Sequence, residues 1–114
     1  MVLDLSYNPG LTYRSYELLS EVFQSRSYLP LKELNLEGNK MGNKNAILLM
    51  NALAYTNKLT YLNLCRNDLG DPIVQAVYTL LELNNVLLSL LLGWNLITSK
   101  GVRIVEGLMV NQTL

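Results

Sequence analysis

The chain has 114 residues, about one domain's worth, and half of them are hydrophobic, enough for a packed core and too many for a disordered segment. Nine basic and nine acidic side chains cancel, which removes the electrostatic reason to expect nucleic acid or an anionic membrane as partner. Histidine is absent and cysteine occurs once, so these residues cannot build a Ser-His or Cys-His nucleophile, a zinc site or an internal disulfide framework, and no cofactor is expected.

The first element in chain order is a short strand, Leu3-x-Leu5, closed by Asn8. Helical spacing follows at Tyr16, Leu19, Val22 and Phe23. A fuller version of the same unit begins at Leu31, as Leu31-x-x-Leu34-x-Leu36-x-x-Asn39, and passes into a helix marked by Ala46, Leu49, Ala52 and Leu53. It returns as Leu59-x-x-Leu62-x-Leu64-x-x-Asn67, then Asp71-Pro72, an acceptor followed by a first-turn proline that suits a helix opening, then Val74, Val77, Leu80 and Leu81. The last copy is Leu87-x-x-Leu90-x-Leu92-x-x-Asn95, with Thr98 or Ser99 in the capping role and Val102, Val105, Leu108 and Met109 on one helix face.

The three full copies are spaced by 28 residues. A fixed period of this size marks a stacked array in which no unit buries its apolar face alone. One domain over 1–114 is expected, in about four repeats at 1–30, 31–58, 59–86 and 87–114. Repeat one is longer, with an extra residue placed near Pro9 and two more near 28–30. The alternating leucines belong to the core. Each turn asparagine can donate and accept, so stacked copies would form a ladder of amides that satisfies turn backbone groups.

Residues between the strand leucines face away from the core and line up in columns, with neighbours about 4.8 Å apart. The columns run Val2, Glu33, Tyr61, Ser89; Asp4, Asn35, Asn63, Leu91; Ser6, Glu37, Cys65, Gly93; and Tyr7, Gly38, Arg66, Trp94. The last is the leading candidate for partner contact, because Tyr, Arg and Trp are the residues most enriched at interface hot spots. Candidate contact residues are therefore Tyr7, Glu37, Tyr61, Arg66, Leu88, Leu91 and Trp94. The alternatives are that Trp94 folds over the sheet edge or lies under a further repeat, and that Glu33, Glu37, Lys32 and Arg66 form a solvated rim. Cys65 reads as an inert surface thiol, with little around it to stabilise a thiolate. The seven glycines sit singly and make no phosphate loop, and the scattered carboxylates suggest no acid–base pair. Asn111-Gln112-Thr113 reads as a chance tripeptide, and no apolar run approaches the roughly 20 residues of a membrane span.

The phrases Leu34-Asn35-Leu36-Glu37-Gly38-Asn39-Lys40-Met41-Gly42, Leu62-Asn63-Leu64-Cys65-Arg66-Asn67-Asp68-Leu69-Gly70-Asp71 and Ile97-Thr98-Ser99-Lys100-Gly101-Val102 resemble the repeat of leucine-rich repeat proteins, specifically the long-repeat class typified by ribonuclease inhibitor and the Ran GTPase-activating protein. Tyr16 departs from that pattern at a position usually held by a small residue. The resemblance implies an α/β solenoid with parallel strands on the concave side and helices on the convex side. It further implies a non-catalytic scaffold that binds protein partners on the concave face, in an intracellular, cytoplasmic assembly of cytoskeletal or ciliary type. The alternative is a GTPase-activating or other regulatory protein, or an enzyme inhibitor or immune sensor segment. Met1 falls at the second position of a repeat and Leu114 looks like the first leucine of another, so a segment of a longer solenoid is expected.

Overall fold

The computed structural model describes residues 1–24, 31–54, 58–84 and 86–101. Strands β1 (Val2–Asp4), β2 (Glu33–Asn35), β3 (Tyr61–Asn63) and β4 (Ser89–Leu91) alternate with helices α1 (Tyr13–Gln24), α2 (Gly42–Leu53) and α3 (Val74–Leu83). The strands form one sheet in sequence order, every pair parallel. Leu3, Leu34, Leu62 and Leu90 stand in register, as do Asp4, Asn35, Asn63 and Leu91. A parallel neighbour requires a crossover, and each helix supplies one. The helices then lie over one face of the sheet, α1 against α2 and α2 against α3.

The core fills the layer between sheet and helices. Leu34, Leu36, Leu62 and Leu64 meet Ala46, Leu49, Leu53, Ile73, Val77 and Leu80 in a single cluster. The helix faces expected for α2 and α3 are buried throughout. On α1 the face is rotated: Tyr16 and Ser20 are buried, Leu19 and Phe23 are half-buried, and Val22 is exposed. At about 100° per residue, Val22 lies roughly 120° from the line through Tyr16 and Phe23. Ala52 and Leu80 hold the same place on α2 and α3 and are buried; among the described residues α1 has a helix neighbour on one side only. The helix face expected after Thr98 and the extra residues near 28–30 lie outside the described residues, as do Asn111–Thr113 and Leu114. The extra residue near Pro9 is taken up in a turn closed by Leu11 N–H donating to Asn8 O at 3.1 Å.

Tyr16 is fully buried, and its hydroxyl has no hydrogen-bond partner among the described residues. Burial alone raises the phenol's pKa. Ser20, one turn on, is also buried and satisfies its own hydroxyl by donating to Tyr16 O at 2.8 Å. Since an orphaned buried hydroxyl carries its desolvation cost without return, Tyr16→Phe is expected to stabilise the chain by about 1 kcal/mol, seen as a raised midpoint in urea denaturation.

The asparagine ladder forms. Asn39 Oδ1 accepts from the N–H of Asn8. Asn67 Oδ1 accepts from Asn39 N–H at 3.0 Å and Met41 N–H at 3.2 Å. Asn95 Oδ1 accepts from Asn67 N–H at 2.8 Å and Leu69 N–H at 3.0 Å. The amide nitrogens reach backwards: Asn39 to Leu5 O, Asn67 to Leu36 O, and Asn95 to Leu64 O. Each amide thus clamps the turn before it, joining repeats where the short strands end.

Asp71 departs from its expected role. Pro72 does open a helical segment, a 3₁₀ turn at Asp71–Ile73 leading into α3, but the Asp71 carboxylate caps nothing in its own helix. It accepts instead from the backbone N–H of Thr98, at 2.9 Å, and from the Thr98 hydroxyl, one repeat further on. These bonds hold its carboxyl below the ordinary carboxylate pKa. Thr98 therefore links repeats three and four.

Candidate protein-interaction face

The sheet face turned away from the helices carries the columns read from the sequence. At the rim where the strands end, Tyr7, Gly38, Arg66 and Trp94 occupy the same place in successive repeats, and all four have left-handed backbones, with φ of 56°, 73°, 58° and 57°. Residues with a Cβ seldom adopt this conformation. Here the inter-repeat backbone bonds over-determine it: Tyr7 N–H donates to Glu37 O at 2.7 Å, Gly38 N–H to Cys65 O at 3.0 Å, and Arg66 N–H to Gly93 O at 3.1 Å. Just upstream, Asp4, Asn35 and Asn63 each accept from the N–H two residues on, that of Ser6, Glu37 and Cys65. The bonds from Ser6 lower the pKa of Asp4. Leu91, fourth in that column, has no side-chain acceptor and leaves an apolar surface instead.

Side chains along this rim are linked across all four repeats. The Tyr7 ring lies over Gly38, where a Cβ would come within 2.5 Å of the ring carbons. Tyr7 Oη donates to Glu37 Oε2 at 2.8 Å, and this bond to the protonated phenol raises its pKa. Glu37 Oε1 accepts from Asn63 Nδ2 at 3.1 Å. Arg66 Nε stands 3.3 Å from Glu37 Oε2, and its guanidinium carbon lies 4.7 Å from the centre of the Trp94 ring. Trp94 is 77% exposed, and Leu88 and Leu91 of the same repeat are also exposed.

Of the seven residues singled out from the sequence, Tyr7, Glu37, Arg66 and Trp94 are brought into one connected row. Leu91 ends β4 on the same sheet face, in register with Asn63, while Leu88 precedes that strand. Tyr61 is half-buried at the start of β3, between Glu33 and Ser89, and belongs to a different column. Sequence reasoning passed over Asn63 and Gly38. The signal for Gly38 was its place in a column otherwise made of large side chains: the missing side chain makes room for the neighbouring ring. Asn63 gave no such signal, because its bond to Glu37 depends on how the two repeats stack.

Among the described residues no group of His, Cys, Asp or Glu could hold a metal ion, and no helix is long and apolar enough to cross a membrane. The rim contacts are individually weak in stability terms: an exposed ion pair contributes roughly 0–1 kcal/mol and an exposed cation–π contact about 0.5–1 kcal/mol. What they do is orient. Arg66 is held on one side by Glu37 and on the other by Trp94.

Residues 30–50 and 56–77 match the sequence model of the family described as Leucine Rich repeat. No curated protein sequence matches the chain. Among solved structures it is similar to one titled "Leiomodin-1 Actin-Binding Site 2 (ABS2)", with a TM-score of 0.85 at 18% identity over 98% of this chain; the chain spans 65% of that structure's length. The likeness is one of fold. With the register and layers above, the fold is a leucine-rich-repeat solenoid, a parallel sheet on one side and helices on the other.

Proposed function

We propose that this leucine-rich-repeat solenoid is a non-catalytic protein-interaction segment that offers the concave face of its sheet to a protein partner within a cytoskeletal or ciliary assembly of the cell interior. The observation that carries the reading is the rim row Tyr7–Glu37–Arg66–Trp94, ending in an exposed apolar patch. Interface hot spots are enriched in Tyr, Arg and Trp, and a surface already ordered loses little entropy when it binds. The fold shared with a structure named for actin binding supports the cytoskeletal setting and makes actin the first partner to test. Continuation into further repeats is part of the proposal, since the chain spans 65% of that structure.

Purified monomeric and filamentous actin should bind the chain, and Trp94→Ala and Arg66→Glu should each weaken that binding about tenfold or more, the cost typical of a hot-spot residue. Far-UV circular dichroism of both variants should stay unchanged, because the rim adds little to stability. Binding that survives both changes would move the contact off the concave face. No binding by the unmodified chain would remove actin as the partner.

A further inference from the structure

We infer that the segment recognised by this face carries a carboxylate beside a bulky apolar side chain, the carboxylate seating on Arg66 and the apolar group on Trp94 and Leu91. The inference rests on the concave-face reading and specifies its chemistry.

Arg66 is the only basic residue between Lys58 and Lys100, so repeats three and four offer a partner one cation at this rim. Its guanidinium has five N–H donors, and the structure gives one of its nitrogens, Nε, a partner: Glu37. The side chain is half exposed, at 48%. Glu37 meets it at the Nε edge and the Trp94 ring lies against the guanidinium, while its terminal nitrogens have no partner among the described residues. A planar fork held in this way suits bidentate acceptance by a carboxylate.

Glu37 does not oppose the arrangement. Its carboxylate already accepts from Tyr7 Oη and Asn63 Nδ2 and pairs with Arg66 Nε at 3.3 Å, which leaves it serving as a positioning residue. Asp4 and Glu33 are exposed in repeats one and two, in different columns of the face, with Lys32 exposed beside Glu33. Within the four outward columns of the sheet Arg66 is the one basic residue, so a partner carboxylate finds its cation there, next to the apolar surface of Trp94 and Leu91. Trp94 and Leu91 differ from the rest of their columns in being large and apolar where Tyr7, Asp4, Asn35 and Asn63 carry polar atoms. A charge–apolar doublet in the ligand matches this doublet in the receptor.

The test pans a random seven-residue peptide library displayed on phage against the full chain, Arg66→Glu, Glu37→Gln and Trp94→Ala. Trp94 is the only tryptophan, so its fluorescence then reports the affinity of each selected peptide that itself lacks tryptophan, and a label on the peptide reports it for the rest and for Trp94→Ala. The unmodified chain should enrich peptides with Asp or Glu next to Leu, Ile, Phe or Trp, and replacing that acid by its amide should weaken binding about tenfold. Arg66→Glu should select Lys or Arg at the same place. Glu37→Gln should keep the acidic preference but bind less tightly, as a positioning role requires. Peptides enriched through Trp94 without an acidic bias, or with the same bias in Arg66→Glu, would overturn this proposal and leave the concave-face reading standing. Enrichment unaffected by Trp94→Ala, or no enrichment at all, would overturn the proposal; joined to actin binding that also ignores Trp94, it would remove the concave-face reading as well.

Discussion

Asn67→Ala is expected to cost on the order of 3–5 kcal/mol, a third or more of the stability of a chain this size. Asn67 is fully buried and makes four hydrogen bonds. It accepts from Asn39 and Met41 and donates to Leu36 O at 2.8 Å and Cys65 O at 3.0 Å. Truncation orphans two backbone donors, the N–H groups of Asn39 and Met41, where water has poor access, at about 1–3 kcal/mol each. Leu36 O and Cys65 O lose one bond but keep another, from Asn39 Nδ2 and Gly38 N–H. The same substitution at Asn95 removes at least as many bonds, two accepted and three donated. Asn95 is only half-buried, so water can replace part of what is lost, and the penalty should be smaller. Asn8 is exposed and should be the most tolerant. Urea denaturation of the three variants should rank them Asn67, Asn95, Asn8. Equal midpoints would mean that the ladder follows the stacking and does not hold it.

Much of this architecture was legible because its information is periodic. The register of Leu3, Leu34, Leu62 and Leu90 follows from a spacing of whole repeats, since a one-residue slip would send every leucine to solvent. The ladder was legible for the same reason: one amide at one position, copied, can only meet its copies. Properties that belong to a junction between unlike residues were not legible. Asp71 reaches Thr98 across 27 positions, and no local rule ranks that bond above a cap on its own helix. Val22 is likewise exposed on a helix with a neighbour on one side only among the described residues, whereas the equivalent Ala52 is buried.

The candidate site divides along the same line. That Tyr7, Arg66 and Trp94 share a column can be counted off the chain. That Glu37, from the adjoining column, ties Tyr7 to Arg66 depends on side-chain reach and on the left-handed backbone that aims these residues along the rim. Gly38 shows how the two kinds of information meet. Its lack of a side chain is plain in the sequence, but the ring that fills the space comes from a residue 31 positions earlier.

Leu64→Asp should abolish the fold at neutral pH. Leu64 is fully buried in the cluster formed by the sheet and the helices. Losing its side chain alone, as in Leu64→Ala, costs about 2–5 kcal/mol through lost transfer energy and the cavity left behind. An aspartate adds a carboxylate with no partner among leucines, and placing that charge there costs several kcal/mol more. Together these exceed what a chain this size can spare. The pH dependence separates the two contributions. Burial raises the carboxyl's pKa in the folded state above its unfolded value near 3.9, so folding is favoured while the group is protonated and is opposed as pH rises through the folded value. Leu64→Asp should therefore regain helical circular dichroism on acidification, towards the level of Leu64→Asn, and lose it again on return to pH 7. Leu64→Asn itself, polar but without charge, should unfold at lower urea than Leu64→Ala and show no such recovery. A Leu64→Asp chain that keeps its helical signal at neutral pH would show that the leucine just after β3 does not sit in the shared core, and the stacked-repeat account of the whole molecule would fail with it.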